Sequence, residues 1–170
     1  MDLEKYTDRS KVVVQAAQTL ALSRNHQRLT PEHLLCILIE DKEGLAANLI
    51  TAAGGRPKEV RAETDAALSK LPSVEGGGAG QVYLAPETAR LFEATEKIAE
   101  KAGDRFVSAE RLLLALAMAK ETPSGEILES AGVSPQALNA AIKDVRKGRT
   151  AESAGAENQY DALKRYAREL

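Results

Sequence analysis

The chain says nearly the same thing twice, and that repetition constrains its fold more than any other feature. "TPEHLL" begins at Thr30 and "SAERLL" begins at Ser108, an offset of 78 positions. The correspondence holds at that one offset from Tyr6 onward. Ala16 aligns with Ala94, Ala21 with Ala99, Glu32 with Glu110, Leu34 and Leu35 with Leu112 and Leu113, and Leu38 with Leu116. Lys42 and Glu43 align with Lys120 and Glu121, Ala53 and Gly54 with Ala131 and Gly132, Pro57 with Pro135, and Ala62 with Ala140. Val13/Leu91, Leu20/Ile98, Ile50/Leu128 and Val60/Leu138 are apolar exchanges, and no gap is needed anywhere. Residues 6–71 and 84–149 therefore read as two copies of one unit.

Each unit reads as four helices. Val13, Ala16, Ala17 and Leu20, and in the copy Leu91, Ala94, Ile98 and Ala102, recur at helical spacing along one apolar face. The second helix opens at the echo itself: Thr30 suits an N-cap, Pro31 the first helical position, and Ser108 caps the copy. The runs 34–39 and 112–118 are apolar nearly all round, which predicts central buried helices with Leu35 and Leu113 in equivalent core positions. Gly54 and Gly132 close the third helix, and Pro57 and Ser134-Pro135 open the fourth. With aromatics at 4% and Ala and Leu dominant, helices are favoured over sheets. The expected fold is all-α, a pseudo-two-fold bundle of two four-helix units within residues 1–149. The stretch 72–83, with "EGGGAG", is expected to be a flexible surface linker. Residues 150–170 are expected to be a second polar linker, followed by a return to helical spacing at Leu163, Tyr166 and Leu170.

The chemistry is sparse. A net charge of −2 argues against a nucleic-acid or anionic-membrane surface. The charged start "MDLEKYTDRSK" is no signal peptide and no stretch has transmembrane length, so a soluble cytoplasmic protein is expected. A phosphate loop needs Lys and Ser or Thr after its last glycine, whereas Gln81 and Val82 follow Gly80. Cys36 has no cysteine to pair with and reads as core packing, and neither a metal site with His26 and His33 nor a Cys36–His33 nucleophile pair is favoured. Lys143, Arg146, Lys147 and Arg149 read as a solvated helix end. No catalytic site is expected. Glu32 and Glu110 sit early in their helices, where each either complements the helix dipole or lines one of two paired surface sites for a cationic or polar group.

A duplicated helical unit carrying "LTPEHLL" and "GDRFVSAERLLLAL" resembles the N-terminal domain of the Clp ATPase family of heat-shock unfoldases, from Met1 to about Gly148. "LPSVEGGGAG" and "GAENQYDALKRYAREL" resemble the ClpB-type disaggregase branch. The resemblance implies a domain tethered above a homohexameric ATPase ring, binding exposed apolar segments of unfolded or aggregated client proteins and delivering them to the pore. It also implies an Hsp70-type chaperone system as co-worker, with ATP and Mg confined to ATPase domains beyond this monomeric fragment. Residue by residue, it implies substrate handling at Thr7, Asp104 and Glu110, and an apolar groove partly lined by Leu91 and Leu112, with Leu91 facing outward. Asp104, in a turn, and Glu110, opening a helix, are expected to be exposed. The alternative within the family is the ClpC or ClpA type. That type docks adaptors for a protease, and the ClpC type recognises phosphoarginine through the equivalents of Glu32 and Glu110.

Overall fold

The computed structural model describes residues 2–75, 80–147 and 149–157. After a 3-10 turn at Leu3–Lys5, the first copy supplies α1 (Asp8–Ser23), α2 (Pro31–Glu40), α3 (Leu45–Ala52) and α4 (Pro57–Ser69). The second supplies α5 (Pro86–Lys101), α6 (Ala109–Met118), α7 (Pro123–Ser130) and α8 (Pro135–Arg146). The helices start where local chemistry satisfies their free amides. Thr7, Ser108, Thr122 and Ser134 accept from backbone N–H groups of the first turns, and five helices carry Pro in that turn. Gly54 and Gly132 take φ of 88° and 89° beyond α3 and α7, a left-handed conformation that costs other residues strain.

The helices α2 and α6 lie at the centre, as their all-round apolar sequences predict, and they contact each other. Leu35 and Leu113 are both enclosed in the single large core. A feature the sequence did not announce is an exchange of short strands between the copies. β1 (Arg28–Leu29) pairs in parallel with β2 (Tyr83–Leu84), joining Leu29 to Leu84. Tyr6 bridges Val107 in the same parallel sense. At the repeat offset Tyr6 corresponds to Leu84 and Leu29 to Val107, so these are the same contact made twice with the copies interchanged. The pseudo-two-fold is therefore written into the backbone hydrogen bonds as well as the packing.

The polar stretch expected to be a linker after Gly148 is packed where it is described. The amides of Arg105 and Phe106 donate to the Ala151 carbonyl, and the amide of Asp8 donates to the Ala154 carbonyl at 2.7 Å. Ala151, Ala156 and Glu157 are buried. Small residues let this segment lie flat on the body, and the carbonyl of Ala154 satisfies an otherwise free amide of α1. Most of the glycine run (76–79) and the helical spacing expected from Tyr160 to Leu170 lie outside the described residues.

In the first copy the loop after α1 is tied to α2 by two histidines. His26 Nδ1 and His33 Nε2 are 2.9 Å apart, and His33 Nδ1 accepts from the Thr30 amide at 3.0 Å. That accepting bond leaves the proton on His33 Nε2, which donates to His26. Burial, then the charges of His26 and Arg24, lower His33 from 6.5 to about 4, and burial also lowers His26. These bonds leave no ring nitrogen of His33 for Cys36, whose thiol burial pushes up to about 11. A histidine with a depressed folded pKa contributes stability above its unfolded value and loses it as pH falls. The thermal midpoint is expected to drop between pH 6.5 and 4, by about 1.4 kcal/mol of stability for each pKa unit of the gap. His33→Gln should lower the midpoint at neutral pH and flatten this slope. An unchanged slope would show that the pair does not titrate on unfolding.

Candidate functional site

At the repeat offset His26 corresponds to Asp104, Thr30 to Ser108, His33 to Arg111 and Leu68 to Arg146. The second copy fills the histidine position with a buried ionic network. Arg146, at the end of α8, donates through Nη1 to both oxygens of Asp104 at 2.7 and 2.8 Å, through Nε to Glu110 at 2.8 Å and through Nη2 to Ser108 Oγ at 2.6 Å. Arg111 Nε donates to Asp104 at 2.9 Å, and Nη1 reaches Asn139 at 3.3 Å. The side chains of Asp104, Glu110 and Arg146 are each at most 1% exposed. Burial alone would raise the Asp104 carboxyl, but bonds from Arg146, the Ala151 amide and Arg111 hold it below the usual carboxylate range. Burial likewise opposes the Arg146 charge, and Glu110 and Asp104 more than offset that.

The same network receives the last described segment. Asp104 accepts from the Ala151 amide at 2.9 Å. Glu157 accepts from the Thr7 hydroxyl and, at 3.1 Å, from the Ala109 amide at the start of α6. Burial first, and Glu110 second, push the Glu157 carboxyl up to about 7 from 4.5. A raised folded pKa gives a contribution present below the unfolded value and lost as pH rises through the folded one. The packing of residues 151–157 is therefore expected to loosen between pH 4.5 and above 7, opposite in sense to the histidine pair. Amide hydrogen exchange at Ala151 and Ala109, corrected for the intrinsic pH dependence, should reveal it. Glu157→Gln, uncharged throughout, should remove the pH dependence. Protection that is flat with pH in the parent chain would sink the idea.

The expected site residues separate accordingly. Thr7, Asp104 and Glu110 are brought together around the segment 151–157, but they are buried, which corrects the expectation that Asp104 and Glu110 are exposed. Arg146, read as part of a solvated helix end, is 2% exposed. The sequence could not reveal its partners because they lie 36 and 42 positions away. Leu112 is fully enclosed in the core, and so lines no groove. Glu32 is buried beside the start of α7 and accepts from Ser124 Oγ at 3.2 Å. Glu110 bonds inward to Arg146, so the two glutamates do not form paired surface sites.

Among the several grooves on the described surface, two with apolar lining occupy equivalent places in the two copies. One, of about 550 Å³, lies between the start of α1, the end of α2 and the start of α3, with Val12, Ile37 and Leu45 in its lining. The other, of about 320 Å³, lies between α5 and the end of α6, with Leu91, Ile98 and Met118. Leu91 is 3% exposed and forms part of the floor rather than facing outward. The grooves are equivalent at the repeat offset: Val13 corresponds to Leu91, Ile37 to Ala115 and Glu43 to Glu121. Val12 is 62% and Met118 51% exposed, large apolar side chains left facing solvent. The sequence reading missed Val12, Ile37 and Met118 as groove residues. Val12 lies off the apolar face read for the first helix, whereas Ile37 and Met118 fall in runs read as buried all round, and Met118, at the end of its helix, is 51% exposed.

The model of the Clp repeat (R) N-terminal domain matches residues 5–131. The chaperone protein ClpB of Rhodopseudomonas palustris is 57% identical over all 170 residues, which cover 19% of that relative. The chaperone protein ClpB of Mesorhizobium japonicum is 56% identical over the same span, 20% of its length. The chain thus spans about a fifth of the length of the curated relatives it matches. Among solved structures, the Hsp104 N-terminal domain from Candida albicans superposes with a TM-score of 0.77 at 20% identity, covering 89% of this chain and 98% of that one. The N-terminal domain of the ClpV1 ATPase from E. coli EAEC gives 0.70 at 19% identity, covering 89% and 91%. Those two likenesses speak to the fold.

Proposed function

The chain belongs to the Clp repeat N-terminal domain family, and on that premise we propose that it is the client-binding domain of a ClpB-type, ATP-dependent disaggregase. It holds exposed apolar segments of unfolded or aggregated proteins and passes them to a hexameric ATPase ring. ATP and Mg act in that ring, and an Hsp70-type chaperone system supplies clients to the whole protein in the cytoplasm. The observation that carries the reading is the pair of equivalent apolar grooves with Val12 and Met118 facing solvent. Burial of apolar surface is non-directional, so such grooves accept many sequences, as a protein handling varied clients requires.

Thr7, Asp104 and Glu110 then serve client handling indirectly, by fixing residues 151–157 against the body, and Leu91 serves as groove floor. Docking of phosphoarginine at paired glutamates, as in the ClpC type, is disfavoured because Glu110 already has a guanidinium partner in Arg146.

The test is titration of the chain with one permanently unfolded model protein. Val12→Asp and Met118→Asp, both at exposed positions, are expected to keep the circular dichroism of the parent. Together they should weaken binding about tenfold or more, since burying a charge in an apolar contact is costly. If the folded double variant binds like the parent, the clients sit elsewhere.

A further inference from the structure

The two grooves share a backbone frame but not a charge. We propose that the first groove selects apolar segments flanked by Lys or Arg, and that the second does not share this preference. The proposal rests on the client-binding reading and names the substrate class of one of its two sites. The first groove carries Asp8, Glu40, Asp41 and Glu43 in its lining against one cation, Arg9, which already bonds Glu43 at 3.1 Å. All four carboxylates are exposed, at the mouth of the groove. In the second groove two carboxylates, Glu87 and Glu121, stand against three cations, Arg90, Lys97 and Lys101.

The difference arises at equivalent positions. Where the first copy has Glu40 and Asp41, the second has Met118 and Ala119; where the first has Val12, the second has Arg90. An apolar stretch seated in either groove buries similar surface, so the core of the segment does not discriminate. The residues on either side of it meet the rim, and there opposite charges attract and like charges repel. Because the rim is solvent-exposed, the effect is moderate and screened by salt over a Debye length of about 10 Å at 0.1 M.

The experiment uses the whole chain and three short peptides with one apolar centre, flanked on both sides by lysines, serines or glutamates. Methyl resonances of Ile37 report the first groove and those of Leu91 the second. At about 50 mM salt the lysine-flanked peptide is expected to bind the first groove roughly five- to tenfold more tightly than the glutamate-flanked one, a ratio that falls toward one near 0.5 M. At the second groove the ratio is expected to be one or below. Glu40→Met with Asp41→Ala gives the first groove the second's residues at those two positions, and should cut its lysine preference at least by half while the serine-flanked peptide still binds.

Equal binding of charged peptides at the first groove, or the same lysine preference at both, overturns the proposal and leaves the client reading standing. Failure of all three peptides to perturb either groove overturns the client reading, and this proposal with it.

Discussion

Replacing Arg146 by Ala is expected to cost about 3–5 kcal/mol of folding stability, measured as a shift in the urea midpoint with the slope unchanged. The magnitude follows from what is left behind. Asp104 and Glu110, both buried, would lose the guanidinium that neutralises them. A buried carboxylate without its cation either remains charged at a heavy solvation cost or takes up a proton. Arg111 still reaches Asp104 at 2.9 Å but makes no bond to Glu110. Domains of this size are stable by only about 5–15 kcal/mol, so the loss would be large.

The first copy suggests a control, because Leu68 occupies the position of Arg146 and is fully buried. Arg146→Leu alone should destabilise as strongly as Arg146→Ala. Combining it with Asp104→Asn and Glu110→Gln should recover much of the loss, because neutral amides lack the charge that made the cavity hostile. A single variant within about 1 kcal/mol of the parent would mean that the network is solvated or carries little energy.

Leu35→Ala and Leu113→Ala are expected to cost about 2–5 kcal/mol each, the loss of transfer free energy plus the cavity left in a core that closes only partly. Both side chains are at most 1% exposed, on the two central helices, among apolar neighbours from both copies. Val12→Ala, on the same kind of helical scaffold but 62% exposed, should change stability by less than about 0.5 kcal/mol. Urea unfolding of the three variants checks the ordering. Near-zero effects at both leucines would mean that the buried faces of α2 and α6 have been misplaced.

The duplication, the eight helices and several of their starts and ends were determined by the sequence alone, because those features are local. Caps at Thr30 and Ser108, glycines at 54 and 132, and a 3.6-residue apolar period act within a few residues of themselves. The ungapped offset made each copy a check on the other. What only the tertiary structure decided are interactions between residues far apart in the chain. The exchanged strands join Tyr6 to Val107 and Leu29 to Leu84, and no pattern within two or three residues signals which partner a short strand will find. Polar residues misled for the same reason: Asp104, Glu110 and Arg146 look like ordinary surface charges until folding places three separate segments around one point. Exposure is likewise a property of the assembled neighbours, so Val12 and Met118 became groove residues, and Leu91 and Leu112 did not face outward, once the copies had packed.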